Sequence, residues 1–280
     1  MQIWAHTLVK NEGRYLWFAV ESVINYVERL LLWDTGSTDS TRDIIKILKK
    51  KHAGKIETAS FGDVTPEQYT MLRQEMLHKT KSDWFIIVDG DEVWWDEGIE
   101  NTSNLIRNEG NEYETIVSNY YNVVGDIFHF QEDAAGMYKI DESRGHINIR
   151  AINKSIPGLY TAKPHGQHGY FDDKNNLIQN RTSSRRYHLN QKAYLHFTHV
   201  ARSTSSDKDL LVPKRKMKLK YDLGISFPRD FFYPQVFFRG YPEIVPSPWN
   251  NRDKVFFTKS IIQTPLRKIK RRIIRNKVGY

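Results

Sequence analysis

The chain has 280 residues, no cysteine, and 42 basic against 33 acidic side chains, a net charge of +9 at neutral pH. That length can bury one large core, or a domain with a smaller appendage. The missing thiols exclude a disulfide framework and cysteine catalysis. No apolar run approaches the length that spans a bilayer and no signal peptide opens the sequence, so a cytoplasmic protein is predicted.

Residues 2–9 read as a short apolar strand, broken by Lys10-Asn11-Glu12-Gly13. Leu16, Ala19, Val20, Val23, Ile24 and Val27 then recur at helical spacing. Leu30–Trp33 forms a second buried strand and runs into Asp34-Thr35-Gly36-Ser37-Thr38-Asp39-Ser40-Thr41, a turn leading to a capped helix with Ile44, Ile45 and Leu48 inward. Residues 55–59 can form a third strand. Thr65-Pro66-Glu67-Gln68 has the proline and the capping-box glutamine of a helix start, and that helix runs to about Lys79. Residues 84–88 and 115–123 read as further strands. Alternating strands and helices predict an α/β protein with a mostly parallel sheet covered on both faces. Ligands in such sheets bind beyond the carboxyl ends of the strands, so Glu12, the Asp34–Asp39 loop and Asp89–Asp91 should share one rim.

The most informative stretch is Trp84-Phe85-Ile86-Ile87-Val88 running straight into Asp89-Gly90-Asp91-Glu92. Asp89 and Asp91 are two apart, so in an extended segment they point the same way. Gly90 leaves room for a closely approaching ligand. Two convergent carboxylates make a hard-oxygen site suited to Mn²⁺ or Mg²⁺, ions that often also hold substrate phosphates. The plain alternative is a solvated turn after a strand.

With Val9-Lys10-Asn11-Glu12, then Trp33–Thr41, then Val88–Glu92 in this order and spacing, the chain resembles the nucleotide-sugar half of glycosyltransferase family 2, of GT-A fold, over roughly residues 3–125. The resemblance implies a mixed, mostly parallel, Rossmann-like sheet flanked by helices. A GT-A domain would fill residues 1–225, with its nucleotide-sugar half in 1–125 and its acceptor half in 126–225, and residues 226–280 would form an extension. It implies transfer of a sugar, with inversion, from a nucleotide-sugar donor, a UDP-sugar first among them, to a glycan or lipid-linked acceptor of the cell envelope. Val9, Glu12, Asp34, Asp39, Arg73, Asp89 and Gly90 are the residues it brings to the donor. Asp89 and Asp91 would hold Mn²⁺ or Mg²⁺, with His199 as the third ligand and His196 as the alternative. Asp133 and His168 are the acceptor-side candidates for catalysis, with Asp172, Asp173 and His165 as alternatives. Arg202 and Lys214–Lys216 are candidates for a lid over the diphosphate, and Trp94, Trp95, Tyr120 and Tyr121 for a sugar platform. Thr35 stands where the family commonly has a second acid, Gln74 where an asparagine often follows the arginine, and Gly169 where related bacterial enzymes have a glutamate after the histidine.

Two rival readings remain: a zinc hydrolase built on His165-x-x-His168 and His196-x-x-His199, and a non-catalytic, membrane-associated sugar-binding protein. Leu266–Arg275 carries six basic residues in ten, and Ile262, Leu266, Ile269 and Ile273 fall on one helical face. That is the pattern of a basic amphipathic helix at an anionic membrane, here the inner face, or of a helix packed on its own domain. No nucleic-acid recognition motif accompanies the charge, and no nucleic-acid partner is expected.

Overall fold

The apolar runs of the first half become β1 (Ile3–Val9), β2 (Arg29–Asp34), β3 (Ile56–Ser60) and β4 (Trp84–Ile87) in a computed structural model that describes residues 1–212 and 215–273. They are joined by α1 (Leu16–Val23), α2 (Thr41–Lys51) and α3 (Pro66–Lys79). β3-β2-β1-β4 is a wholly parallel block, as right-handed strand-helix-strand units require. β1, β2 and β4 are buried on both faces, whereas the edge strand β3 is buried only at Ile56. Ile3, Ala5, Leu30, Leu32, Trp84 and Ile86 join the core beneath α1 and α2, whereas Trp4, Leu8, Leu31 and Trp33 pack on Met76 of α3. α3 starts with the capping box the sequence predicts: Gln68 donates its backbone N–H to Thr65 Oγ1 at 3.2 Å, and Thr65 N–H donates to Gln68 Oε1 at 2.8 Å. α1 stops at Val23 instead of reaching Val27. A 3-10 turn over Ile24–Tyr26 follows, which turns the chain into β2.

β5 (Glu92–Trp94), α4 (Asp96–Glu109), β6 (Thr115–Val124), β7 (Asp126–Phe130) and the hairpin of β8 (Tyr138–Ile140) and β9 (Ser143–Gly145) come next, then β10 (Ile147–Asn153). β10 inserts antiparallel between β4 and β6 and makes the sheet mixed. A small hairpin, β11 (Tyr160–Ala162) and β12 (Gly169–Phe171), leans on α3. The long β13 (Arg186–His199) lies parallel to β6 and antiparallel to β5. α5 (Ser206–Leu211), α6 (Arg215–Lys218), β14 (Ile225–Ser226) and α7 (Lys254–Ile273) complete the chain. The sheet order is β14-β7-β6-β10-β4-β1-β2-β3. Phe227, Val236, Phe237 and Val245 enter the same core as Phe18, so the described part of the segment after residue 225 packs on the main body. Trp94 and Tyr120 also belong to the core, both stacked on Tyr194, which removes them from the sugar-platform candidates. Among the described residues no helix is long and apolar enough to cross a membrane. Lys214, Ile274 and Arg275 lie outside the described residues, as do the side chains of Lys216 and Ile273.

Candidate active site

The carboxyl ends of β1 and β4 open into a cavity of about 320 Å³, where a doubly covered α/β sheet is expected to hold its ligand. β1 contributes Val9, and the turn after it Lys10 and Glu12; the β4–β5 turn contributes Asp89, Gly90 and Asp91. α3 contributes Tyr69 and Arg73, and β10 contributes Arg150. His196 of β13 and, beyond it, Arg202, Arg215 and Lys218 close the wall. Six Lys or Arg side chains and three carboxylates line the cavity, and three of the cations also pair with acids outside the lining, Lys10 with Asp63, Arg150 with Glu92 and Arg215 with Asp209.

Turn geometry sets this up. Gly90 is required by close approach: a Cβ there would stand 2.8 Å from Val9 Cγ1 and 2.9 Å from Glu12 Cγ. Asn11 adopts φ 53° and is locked by its neighbours, its side-chain oxygen accepting from Thr38 N–H at 2.7 Å and its N–H donating to Ser37 Oγ at 2.8 Å. The two carboxylates after β4 are divided between different partners. Asp89 accepts from Arg73 and from Arg150, each at 3.1 Å. Burial pushes its carboxyl up, but the two guanidinium groups outweigh burial and hold it at about 2. Asp91 accepts from Arg202 and lies 3.4 Å from His196 Nε2. Burial raises its carboxyl too, and Arg202 and His196 bring it well below the usual range. Glu92, wholly buried behind the pair, accepts from Arg150 and from Asp89 N–H, yet burial still pushes it up to about 7. Arg202 and Arg215 converge on Glu12, and Arg215 also bonds the Lys10 and Asn11 carbonyls. Arg202 and Arg215 are therefore strapped across the end of β1. Arg73 Nε and Nη1, Arg202 Nε and Arg215 Nε are buried donors with no protein partner.

Asp34 and Asp39 do not line this cavity. Asp34 accepts the Gly36 and Ser37 N–H groups and pairs with Arg42, closing its own turn. Asp39 bonds Thr41 at the start of α2 and clasps Ser203 and Thr204. His199 is also turned elsewhere, its ring bonded to the Lys218 carbonyl, and His196 is the histidine beside Asp91. Asp133 is two-thirds exposed, pairs with Lys192 at 2.6 Å and does not line the cavity. His168 does line it: its Nε2 is buried without a partner, as are Tyr170 Oη and Gln179 Oε1 in the same wall. Asp172 pairs with Arg181 and caps the loop at Lys174 and Asn176. Arg150 was not singled out by the sequence pattern, although an arginine inside the apolar strand Ile147–Asn153 is a signal, since a buried charge must pair.

Burial lowers His168 to about 3 and His146 to about 4, so both stay neutral in the native state while the unfolded chain titrates near its ordinary value. A depressed folded pKa contributes stability that is present above the unfolded pKa and is lost as the pH falls through the folded one. Unfolding free energy should therefore decline from pH 6.5 toward 4, by up to about 1.4 kcal/mol per pH unit for each such histidine. In urea titrations at a series of pH values, His168→Asn should flatten that decline by one histidine; an unchanged slope would contradict the assignment.

Residues 6–171, more than half the chain, match the profile of Glycosyl transferase family 2. No curated protein matches the chain. Among solved structures, S. aureus TarS 1-349 in complex with UDP-GlcNAc is similar at 10% identity and a TM-score of 0.45, over 85% of this chain and 70% of that one. Another S. aureus TarS structure is matched over only 37% of its chain, at 12% identity, a TM-score of 0.45 and 70% coverage of this chain. Glucosyl-3-phosphoglycerate synthase from Mycobacterium tuberculosis, in complex with Mg²⁺ and UDP, is similar at 14% identity and a TM-score of 0.43, over 70% of this chain and 71% of that one. Likeness at this level assigns neither donor nor acceptor to the present chain. The profile match, over the stretch that builds the β1 and β4 ends of the cavity, places the chain in glycosyl transferase family 2.

Proposed function

We propose that the chain transfers a hexosyl unit from a nucleoside diphosphate sugar, with a UDP-sugar as the donor to test first, to a hydroxyl of a glycan or lipid-linked saccharide. The observation that carries this reading is the cation-rich cavity at the ends of β1 and β4, with unpartnered guanidinium N–H groups on Arg73, Arg202 and Arg215. These donors suit diphosphate oxygens, which gain charge as the bond to the anomeric carbon breaks. Glu12 and Val9 would border the nucleoside, and Gly90 lets it approach the end of β1.

Among the described residues no group of three His, Cys, Asp or Glu side chains is placed to share an ion, which leaves the zinc hydrolase reading without a site. A divalent ion of a glycosyl transferase needs less. Mg²⁺ and Mn²⁺ are commonly held by one or two protein ligands plus substrate phosphates. Asp91, which here accepts from Arg202, and His196 at 3.4 Å from it would supply one hard oxygen and one imidazole nitrogen, donor types such an ion takes. Asp91 and His196 are the residues that would hold it, with Asp89 turned to its arginines. When bound, the ion would neutralise charge on the departing diphosphate.

In an inverting transfer the acceptor oxygen attacks the anomeric carbon on the face opposite the diphosphate and loses its proton to a base. Apart from Glu12, Asp89 and Asp91 no carboxylate lines the cavity among the described residues. The acceptor-side group we put in that role is His168, a neutral imidazole with a free Nε2. A bound diphosphate sugar brings negative charge near it and raises its basicity. The test is donor turnover by Asp91→Asn, which this reading requires to be lost while the variant remains folded.

A further inference from the structure

α7 faces the wrong way for an ordinary surface helix. A helix on a water-soluble body turns its apolar stripe inward. Here the inward face is polar: Ser260 and Thr264 are buried, and Thr264 Oγ1 accepts from Leu223 N–H at 2.9 Å. Phe256 is an apolar contact of that face, its ring filling the space a side chain at Gly125 would need, 2.6 Å from the position of a Cβ. The apolar stripe points outward. Val255, Ile262, Leu266 and Ile269 are 60%, 65%, 63% and 54% exposed. Their spacing keeps them on one side of the helix over about 20 Å.

Charge identifies what covers this stripe. The sequence of α7 holds seven Lys or Arg and no Asp or Glu. Lys254, Lys268 and Lys270 are exposed around the stripe. A protein groove that took the apolar side chains would have to supply carboxylates along its rim as well. An anionic bilayer supplies both at once: an acyl boundary for Ile262, Leu266 and Ile269, and a continuous layer of lipid phosphates for the lysines. We propose that α7 docks the protein flat on an anionic membrane surface, held by its outward apolar stripe and its basic flanks. The stripe belongs to no part of the cavity wall, so this docking surface is separate from the transfer site.

Co-sedimentation of the full chain with lipid vesicles tests this. The wild type should pellet with phosphatidylcholine vesicles containing phosphatidylglycerol and stay largely in solution with phosphatidylcholine alone. Ile262→Ser with Leu266→Ser should weaken partition about tenfold or more, because two buried apolar side chains are lost. Lys268→Glu with Lys270→Glu should weaken it by a similar factor, at about fivefold for each basic residue near the surface. All four positions are exposed, so both double variants should melt with the wild type. Three outcomes would overturn the proposal: wild type that stays in solution with anionic vesicles, equal binding to neutral vesicles, or undiminished binding by both variants. Wild type that self-associates through the stripe and ignores vesicles belongs to the first of these, and would assign the stripe to a second copy.

Discussion

Replacing Asp91 by asparagine should lower donor turnover at least about 100-fold, with a raised Mn²⁺ requirement. Asp91 stands at the end of a strand that is apolar until Val88 and is itself 2% exposed. Its charge persists there because Arg202 and His196 outweigh burial. Asparagine keeps the shape and removes the charge, so it weakens the cavity-lining carboxylate beside His196 and leaves Arg202 aimed at the cavity without its nearer counter-charge. Arg202 retains Glu12 at 3.3 Å, which limits the structural damage to about 1–3 kcal/mol. Because Asp91 and Arg202 are both buried, the melting temperature should also fall modestly. Turnover should therefore be compared at a temperature where both proteins are folded. Full activity of the variant at low Mn²⁺, or wild-type activity indifferent to a chelator, would remove Asp91 from the ion-holding role.

Arg150→Met should cost about 3–5 kcal/mol of stability, a larger loss than Asp91→Asn causes. Arg150 ties Asp89, Glu92 and the Tyr194 hydroxyl together beneath the cavity. Glu92 is fully buried, and burial already pushes it up to about 7 with Arg150 in place. Without the guanidinium its charged form has no partner of comparable strength, whereas Asp89 keeps Arg73 at 3.1 Å. Breaking one half of a buried pair leaves an uncompensated charge, whereas removing both halves does not. Glu92→Gln in the Arg150→Met background should therefore recover a substantial part of the loss. Urea unfolding decides: a loss under about 1 kcal/mol for Arg150→Met would show that the buried pair is not a structural element.

The parallel half of the fold was legible because its signals are local. Apolar runs of strand length, a capping box at Thr65 and breaks at Lys10–Gly13 and Asp34–Thr41 fix β1 to β4 and their helices, and with them the position of Glu12 and Asp89–Asp91 on one rim. Partner choice was not legible, because it depends on long-range register. The separation of three between His196 and His199 says that they face opposite ways, but β13 carries irregular pairing between those residues, and only the fold shows that the one lining the cavity is His196. Asp34 and Asp39 look like ligand contacts on sequence, yet a short acidic side chain in a turn can satisfy backbone N–H groups instead, and both do so here. Asp133 follows the Asp89–Asp91 turn in the right chain order for a base, but its short 3-10 turn directs it toward Lys192 and solvent. The apolar face of α7 was visible in the sequence; that it points outward was not, since periodicity gives a stripe but not its direction.

The most direct test of a diphosphate site at the ends of β1 and β4 is a thermal-shift series with UDP, GDP, ADP and CDP, each with and without Mn²⁺, on wild type and Asp91→Asn. Binding to the native state raises stability by mass action, about 2.7 kcal/mol at a hundredfold excess over the dissociation constant. One nucleotide should stand out, its shift should need Mn²⁺, and Asp91→Asn should lose most of it. No shift with any nucleotide, or the same shift without metal and in the variant, would contradict a donor site built on Asp91.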